Sequence, residues 1–560
     1  MSVNVAIGVQ DFSTLIENHY FYVDKTAFLK EWWDSGDSVT LITRPRRFGK
    51  TLTMSMTEQF FSMEYEGRSD LFEELEIWND EKYRNLQGTY PVISLSFANI
   101  KEPTYELTQK KICDLIAQLY FKFDFITESN ALIKEEVNLY KKIMNHMDYV
   151  DATLSLNYLS GFLYKYYGKK VIILLDEYDT PMQEAFVDGY WDELVTFTRS
   201  LFNSTFKTNP ALERGIMTGI TRVSKESIFS DLNNLKVVTT TSDEYATTFG
   251  FTEPEVFEAL GKCGLDSEKS EVKRWYDGYH FGNVDVYCPW DVINHVDRIK
   301  DDPMAGPEAY WINTSGNELV KRFIDKAGKT TRNEIERLIA GDMIEKSIRM
   351  ELTYDEIDNS IDNLWSILFT TGYLTQQGKS ERGVYRLVIP NKEIREVYIL
   401  QIQEWFKDSV LHNREPINQL LKAIKEGDAD TVEKDLTKIL VNTISIFDTK
   451  SRKEEKEIFY HGIVLGLLRC ESEWLIQSNI ESGDGLVDIL IETEDPDAGI
   501  IIELKYAQTF HGLSKACENA MRQIKERRYD ERLRNEGRND ILAYGIAFCR
   551  KRCKVVVKNL

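Results

Sequence analysis

Residues 44–51, RPRRFGKT, have the residue types and the spacing that could hold the phosphates of a nucleotide. This loop follows an apolar run typical of a buried strand and precedes an apolar pattern typical of a helix. In that context backbone N–H groups and the helix N-terminus surround phosphate oxygens, the lysine reaches the β and γ phosphates, and the threonine hydroxyl ligates Mg²⁺. The predicted nucleotide-binding residues of the loop are Arg47, Phe48, Gly49, Lys50 and Thr51.

A second apolar run, VIILL at 171–175, ends in two acids, Asp176 and Glu177. An apolar strand has no structural need for two acids at its tip, whereas a nucleotide site does. Asp176 would hold the water shell of Mg²⁺, and Glu177 would polarise the attacking water. A solvated strand end is the alternative for the acids. A basic turn is the alternative for the loop, because Arg44 stands where the general motif has Gly.

A third strand-like run ends in the polar sequence TGITR, residues 218–222. ATPases with the two motifs above keep a residue that senses the γ-phosphate at such a strand tip. Thr221 and Arg222 are therefore candidates for this role, and an ordinary loop start is an equal alternative.

Two apolar runs near the C terminus, 486–491 and 500–506, flank the turn-like ETEDPDAG and predict a β-hairpin. If the hairpin is symmetric, paired residue numbers sum to 991, and Asp488 lies opposite Glu503. Directly opposed positions bring Cβ atoms to about 4.5–5.5 Å, close enough for two carboxylates to share a divalent cation. Lys505 follows on the same face, where it could position or activate the water that attacks a phosphodiester.

The order Asp, about fifteen residues, then Glu-x-Lys is the PD-(D/E)XK nuclease pattern, although it also occurs by chance. A preceding helix carries Glu457, a candidate third carboxylate, and a following basic helix carries Gln523. An exposed hairpin edge protected by charges is the alternative, and His461 is interpreted as a packing residue rather than a ligand. The predicted catalytic residues are Glu177, Asp488, Glu503 and Lys505. The predicted metal ligands are Thr51, Asp176, Glu457, Asp488 and Glu503.

The elements that would position these residues fall into three regions. Continuous apolar runs alternate with helical patterns as far as residue 241, as in a parallel α/β sheet buried on both faces. The pattern is then mostly helical, and the last stretch returns to a helix, three strands, a basic helix and a final strand. The predicted domains are a P-loop ATPase domain at 1–250, a mostly helical middle region at 251–445 and an α/β nuclease-like domain at 446–560.

The composition is that of a folded, acidic protein. The 560 residues are 42% hydrophobic and 12% aromatic, enough core material for about three to five folded units. Seven cysteines without a C-x-x-C pair predict reduced thiols rather than a disulfide framework or a zinc site. Neither a signal-peptide pattern nor a window of ~18–20 apolar residues occurs, so we expect a cytoplasmic protein without a membrane partner.

Charge is distributed unevenly along the chain. The net charge of −22 argues against a nucleic-acid partner, because phosphate binding needs a basic surface. Residues 501–560, however, contain fourteen Lys or Arg and seven Asp or Glu, a local net charge of +7. This segment predicts DNA binding through the C-terminal domain.

Together these motifs resemble bacterial AAA-ATPase-like proteins with a C-terminal PD-(D/E)XK nuclease-superfamily domain. The resemblance extends over nearly the whole chain. The segments that carry it are YVDKT (22–26), RPRRFGKT (44–51), LLDEYDTP (174–181), TGITRVSKESIFSDLNNL (218–235), WYDGYHFG (275–282), YWINTSGN (310–317), LWSILFTTGYLT (364–375), FYHGIVLGLL (459–468) and ELKY (503–506).

The resemblance implies an ASCE or AAA-like P-loop NTPase fold, a restriction-endonuclease-like α/β fold, and ATP and Mg²⁺ as cofactors. Arg44 in place of Gly is usual for this family. The family's hairpin usually has Arg where this chain has Leu486, and Val487 stands where the superfamily name has Pro. These two departures leave the acids and the lysine intact and concern the fit to a substrate. The aromatic residues of WYDGYHFG and YWINTSGN are expected to pack rather than to stack on bases.

Three functions are compatible with these features. The first is an ATP-gated, Mg²⁺-dependent DNA nuclease, which the intact Asp488, Glu503 and Lys505 favour. The second is a nucleotide-switched binding or signalling protein that binds DNA without cutting it, and the third is an ATPase that remodels a protein partner. The resemblance implies a role in mobile-element biology or phage defence, and the sequence leaves the DNA target and the oligomeric state open.

Overall fold

The computed structural model describes residues 4–221, 229, 232–311, 317–352, 356, 360–378, 383–411, 415–443 and 453–560. The chain divides into two compact units. The N-terminal unit comprises Met1–Trp311, Lys346–Tyr385 and Pro390–Glu393, and the C-terminal unit comprises Ile312–Glu345, Arg386–Ile389 and Ile394–Leu560. The residues expected to form a middle region, 251–445, are therefore shared between the two units. Arg222 lies outside the described residues.

The strands of the described residues are β1 (Val39–Thr43), β2 (Val92–Ser96), β3 (Val171–Asp176), β4 (Leu212–Gly219), β5 (Leu235–Val238), β6 (Tyr279–Phe281), β7 (Val284–Val286), β8 (Ile344–Ser347), β9 (Thr375–Gln376), β10 (Val384–Val388), β11 (Leu475–Ser482), β12 (Gly485–Glu492), β13 (Ala498–Tyr506), β14 (Asp540–Cys549) and β15 (Arg552–Asn559). The α-helices of the described residues are α1 (Phe12–Glu17), α2 (Ala27–Ser35), α3 (Lys50–Phe61), α4 (Glu81–Arg84), α5 (Tyr105–Lys122), α6 (Lys134–Asn145), α7 (Tyr149–Tyr167), α8 (Thr180–Asp188), α9 (Trp191–Phe202), α10 (Glu253–Lys262), α11 (Lys269–Tyr276), α12 (Pro289–Asp301), α13 (Asn317–Lys326), α14 (Lys329–Ile339), α15 (Ile361–Thr370), α16 (Lys392–Leu411), α17 (Glu415–Glu426), α18 (Ala429–Thr443), α19 (Lys453–Leu468), α20 (Leu513–Glu526) and α21 (Glu531–Asn535). Over this described part of the chain, no helix combines the length and the apolar character needed to cross a membrane.

The N-terminal unit is built on a parallel sheet with the strand order β2-β3-β4-β1-β5. All residues of β1 and β3 are buried, which explains why these strands are continuous apolar runs rather than alternating ones. The α/β class and the buried parallel sheet predicted from those runs are confirmed. Because the strands are parallel, the C-terminal ends of β1, β3 and β4 meet at one edge, with β4 between the other two.

The C-terminal unit contains a mixed sheet with the order β11-β12-β13-β14-β15, in which only the β13–β14 pair is parallel. Helix α20 packs on this sheet through Ala516, Ala520 and Ile524 on its apolar face. Gly545 permits the close approach, since a Cβ there would lie 2.9 Å from the carbonyl oxygen of Cys517. This mixed α/β arrangement carries the predicted nuclease-like hairpin on its central strands.

A short hairpin of β6 and β7 belongs to the N-terminal unit and contains the second half, residues 279–282, of the segment WYDGYHFG. Its entry depends on Gly278, which has φ 129°, a value that residues with a side chain rarely adopt. A Cβ at this position would lie 1.9 Å from the carbonyl oxygen of Pro390. The hairpin can therefore approach the Pro390 backbone only because residue 278 is glycine.

We predict that Gly278→Ala lowers the free energy of unfolding of the N-terminal unit by roughly 3 kcal/mol or more, because it adds backbone strain and a clash with rigid backbone. Thermal unfolding measures the effect. Gly306→Ala is the matched control, because Gly306 has no neighbouring atom within 4 Å of an added Cβ. Equal melting temperatures for the two variants would contradict the prediction.

Candidate functional site

The loop between β1 and α3 has the backbone geometry of an anion-binding site. Arg47 and Gly49 both have positive φ angles, 69° and 82°. The backbone N–H groups of residues 47–51 have no hydrogen-bond acceptor within the described part of the chain. Successive free N–H groups at the start of a helix form a concave site for phosphate oxygens, so this loop fits the predicted ligand.

The Lys50 side chain is buried beneath this loop, with 4% exposure. Its Nζ donates hydrogen bonds to the carbonyl oxygens of Arg44 at 3.0 Å and Pro45 at 2.8 Å. Burial lowers the pKa of Lys50, and the nearby charges of Glu177 and Asp176 oppose that shift. The ammonium group thus lies among the loop backbone and two carboxylates, as a phosphate-binding lysine requires.

Asp176 connects the phosphate loop to the centre of the sheet. Its Oδ2 accepts a hydrogen bond from the Thr51 hydroxyl at 2.7 Å, and its Oδ1 accepts one from the Thr218 hydroxyl. Burial raises the pKa of Asp176, while these two hydroxyl donors lower it. The two predicted Mg²⁺ ligands, Thr51 and Asp176, are therefore in direct contact, although they are separated by 124 residues of chain.

Glu177 lies beside this pair with its backbone in an uncommon conformation, φ 50°. Its N–H donates to the Thr218 hydroxyl at 3.2 Å, and the Thr180 hydroxyl donates to Glu177 Oε2 at 3.1 Å. The turn after β3 thus places the Glu177 carboxylate at the start of α8 while Asp176 stays in the sheet. The two acids predicted to have different roles are held in different environments.

Asp179 is a site residue that the sequence reasoning missed. Its side chain is 1% exposed, and its Oδ2 accepts hydrogen bonds from Ile220 N at 3.0 Å, Thr221 N at 2.9 Å and the Thr221 hydroxyl at 3.0 Å. Asp179 therefore holds the loop after β4, which contains the predicted sensor Thr221. The available signal was a third acid in the sequence LLDEYD, three residues after Asp176.

Other side chains of the loop pack into the N-terminal unit rather than line the phosphate position. Arg44 is fully buried, donates to the carbonyl oxygens of Thr43 and Glu244, and lies 5.1 Å from the centre of the Phe281 ring. Burial lowers the pKa of Arg44 to about 9. Phe48 is also fully buried, so only its backbone N–H is available to a nucleotide.

The hairpin of β12 and β13 has the register expected from the sequence. Ile489 pairs with Ile502, and each further pair also sums to 991. The paired residues of the two strands end at Ile489 and Ile502, so Asp488, which precedes Ile489, has no paired residue on β13. Instead of facing Glu503 across a regular ladder, Asp488 accepts a hydrogen bond on Oδ2 from Leu504 N at 2.7 Å. The Asp488 carboxylate therefore lies against the backbone of β13, next to Glu503.

Glu503 and Lys505 form an ion pair close to Asp488. Lys505 Nζ lies 2.6 Å from Glu503 Oε1, whereas no donor in the described chain reaches the buried Glu503 Oε2. Burial and the charge of Asp488 raise the pKa of Glu503 to about 7, and Lys505 opposes that shift. A buried carboxylate oxygen without a donor, next to a second carboxylate, fits a divalent cation.

The remaining predicted residues lie around this pair in different roles. Glu457 Oε1 accepts a hydrogen bond from Tyr506 N at 2.9 Å, and His461 Nε2 lies 2.7 Å from the Ser478 hydroxyl. Within the described residues no group of three or more His, Cys, Asp or Glu side chains has the geometry to hold a metal ion.

Gln523 Nε2 donates at 3.0 Å to the hydroxyl of Tyr529. Burial raises the pKa of Tyr529, and the charges of Glu503 and Asp488 add to that shift, so this tyrosine, which the sequence reasoning missed, lies near the carboxylates.

Comparisons with known proteins find a family match in each of the two compact units. Residues 6–229 match the family described as Predicted AAA-ATPase, and residues 455–558 match the PD-(D/E)XK nuclease superfamily. An uncharacterized protein in the vnfD 5′ region of Azotobacter chroococcum mcd 1 is 24% identical over 395 residues, which are 70% of this chain and 68% of that protein. The two family matches contain the phosphate loop and the Asp488–Glu503–Lys505 hairpin, respectively.

We predict that Asp179→Ala destabilises the loop after β4, because three buried donors lose their acceptor at about 1–3 kcal/mol each. Hydrogen exchange at the amides of Ile220 and Thr221 measures the effect, which should be a clear loss of protection.

Asp179→Asn is the matched control, because its amide oxygen can replace Oδ2 and its N–H₂ group can take the place of Oδ1, which has no partner among the described residues. Equal loss of protection in both variants would show that the charge of Asp179, rather than its acceptor role, holds the loop.

Proposed function

We propose that this chain, which joins an AAA-ATPase-like domain to a PD-(D/E)XK nuclease-superfamily domain, hydrolyses ATP and thereby controls a Mg²⁺-dependent nuclease that acts on DNA. The contact between Thr51 and Asp176 carries the ATPase part of the proposal. This contact joins the phosphate loop to the acidic end of β3, and these are the two motifs that would hold Mg²⁺ next to a bound phosphate. A hydroxyl and a carboxylate in contact at this position fit a hydrated Mg²⁺ ion, which takes few protein ligands and retains several waters.

The side chains around the phosphate loop would have different roles in ATP hydrolysis. Bound Mg²⁺–ATP would supply the phosphoanhydride bond and the cation that screens its charge. Lys50 is positioned to neutralise phosphate oxygens, since its present acceptors are only backbone carbonyls. Glu177, oriented by Thr180, is positioned to accept a proton from the attacking water.

The Asp488–Glu503–Lys505 cluster supports the nuclease part of the proposal. Mg²⁺ is commonly bound through one or two carboxylates and several waters, so two acids suffice for a site. A bound Mg²⁺ ion would supply charge that stabilises a pentavalent phosphate. Lys505, 17% exposed and paired with Glu503, can orient a water or neutralise a phosphate oxygen.

The basic C-terminal segment supports DNA as the substrate, although internal ion pairs reduce the number of cations available to phosphates. Arg528 pairs with Asp484, Arg534 with Asp530, and further arginines of this region pair similarly. The cations that lack a carboxylate partner among the described residues include Lys515, Lys525 and Lys558. The salt dependence of DNA binding should therefore reflect fewer phosphate contacts than the fourteen basic residues suggest.

A second candidate function is DNA binding without cleavage under nucleotide control. It is favoured by one observation, that Glu457, the predicted third carboxylate, accepts a hydrogen bond from a backbone N–H. The two candidates differ in a single measurable outcome, the cleavage of DNA in Mg²⁺ or Mn²⁺. Plasmid, linear and branched DNA, with and without ATP, provide the substrates.

For the ATPase, we predict that Lys50→Ala abolishes stabilisation of the protein by Mg²⁺–ATP, because it removes the ammonium group from the phosphate site. Glu177→Gln should retain that stabilisation but slow hydrolysis by about 100-fold or more, since the amide cannot accept a proton. Thermal shift and phosphate release are the two measurements.

Glu193→Gln, an exposed acid on α9, is the control and should change neither quantity. Equal loss of binding and turnover in Glu177→Gln would mean that Glu177 maintains the structure rather than the reaction.

For the nuclease, we predict that Asp488→Asn, Glu503→Gln and Lys505→Ala each remove DNA cleavage. The two acid variants should also weaken divalent-cation binding, whereas Lys505→Ala should not, because a lysine ammonium is not a metal ligand. Calorimetric titration with Mn²⁺ separates the two effects.

Glu518→Gln on the exposed face of α20 is the matched control and should cleave normally. DNA binding should survive all of these substitutions. A wild-type protein that binds DNA and never cuts it would favour the second candidate, and one that binds neither DNA nor divalent cations would remove the nuclease proposal.

A further inference from the structure

A buried pair of carboxyl groups lies in the N-terminal unit, outside the ATP site described above. Asp291 is in the first turn of α12, and Glu393 is in the first turn of α16. Asp291 is 1% exposed and Glu393 is fully buried. Their carboxyl groups are within hydrogen-bonding range of each other. Two acids so deeply buried need either donors or a proton.

Donors are scarce around this pair. Glu393 Oε1 accepts a hydrogen bond from Trp311 N at 2.6 Å. No donor of the described residues reaches Glu393 Oε2 or either oxygen of Asp291. Two ionised carboxylates can only accept hydrogen bonds, so a bond between them requires a proton. Burial and the charge of Asp291 raise the pKa of Glu393.

The phosphate loop supplies a positive charge to this pair. The Arg47 guanidinium lies 3.6 Å from the centre of the Trp290 ring. Burial raises the pKa of Asp291 to about 6, and the charge of Arg47 opposes that shift. The Cys288 thiol donates to the Arg47 carbonyl oxygen at 3.7 Å. Because Arg47 has φ 69°, its backbone depends on surrounding contacts to stay in this conformation. The residues at the start of α12 thus contact both the backbone and the side chain of Arg47.

We propose that Asp291 and Glu393 share one proton and present a single negative charge to Arg47, and that this charge holds the phosphate loop in the conformation that receives nucleotide. Glu393 Oε2 carries the proton toward Asp291, since Oε1 already accepts the Trp311 N–H. The N-terminus of α12 stabilises the charge on Asp291. Both acids are positioning residues, and their effect on nucleotide binding rests on the proposed ATPase function.

The other titratable groups that face the pair do not compete for this proton at neutral pH. Burial raises the pKa of each of them, so all of them stay uncharged. They are Cys288, Tyr276, Tyr279 and Tyr310.

Amide substitutions test the shared proton, because an amide has the shape of a carboxylic acid and keeps an N–H donor. Asp291→Asn or Glu393→Gln alone leaves one carboxylate and one donor, and should bind the fluorescent nucleotide mant-ATP within about twofold of wild type. The double variant has no negative charge to face Arg47 and should bind about tenfold more weakly. In an Arg47→Ala background the double substitution should have no further effect.

Thermal unfolding as a function of pH gives a readout that does not need nucleotide. A proton held in the folded state after the unfolded chain has lost it makes stability fall with rising pH. Wild type should therefore lose stability as the pH rises above about 4.3, where unfolded carboxyl groups have lost their protons, until the folded pair releases its own proton, and each single variant should lose less. Glu106→Gln, an exposed acid in the first turn of α5, should keep the wild-type slope.

The outcomes separate this proposal from the proposed function. Single variants that lose as much affinity as the double variant, or that keep the wild-type pH slope, would overturn the shared proton. Wild-type protein that does not bind mant-ATP would overturn the ATPase function and the role of the pair in the loop, while the pH series would still decide whether the proton is shared.

Discussion

The arrangement of the N-terminal unit depends on one buried carboxylate, Asp176, at the end of β3. A carboxylate that is 4% exposed is costly unless donors surround it. The Thr51 and Thr218 hydroxyls meet that need, and they come from the helix after β1 and from the end of β4. Satisfying this single group fixes the relative positions of three strand ends. The positions of Glu177 and of the loop held by Asp179 follow from the same arrangement.

The phosphate loop is packed from its outer side by residues that follow the sheet in sequence. Phe48 contacts Tyr279 with ring centres 4.9 Å apart, and an added Cβ on Gly372 would lie 2.9 Å from Pro45. Together with the contacts of Arg44 and Arg47, these interactions hold most of the loop in place against the rest of the unit. The aromatic residues of WYDGYHFG therefore pack, as expected. Tyr279 and Phe281 pack against the phosphate loop, whereas Trp275 and Tyr276 belong to a separate hydrophobic cluster.

The sequence predicted those features that depend on local pattern or on a shared motif, and it missed details that depend on individual hydrogen bonds. Continuous apolar runs predicted buried parallel strands, and the symmetry of one hairpin predicted its register, since both follow from the geometry of a strand. The unpaired position of Asp488 was not predictable, because it depends on the hydrogen bond that the Asp488 carboxylate accepts from Leu504 N. Asp179 was missed for the same reason, since its partners belong to another strand end. The domain organisation from the family matches, 6–229 and 455–558, says nothing about the residues between them.

The two compact units are interleaved in the sequence, because the N-terminal unit takes its last residues from Pro390–Glu393. A ribosome must therefore synthesise about seven tenths of the chain before the first unit can complete its core. Until then, the β6–β7 hairpin lacks the backbone of Pro390 against which Gly278 packs. Both units are thus completed late in translation. Synthesis of the C-terminal unit, which begins at Ile312, starts before the last residues of the N-terminal unit have been made.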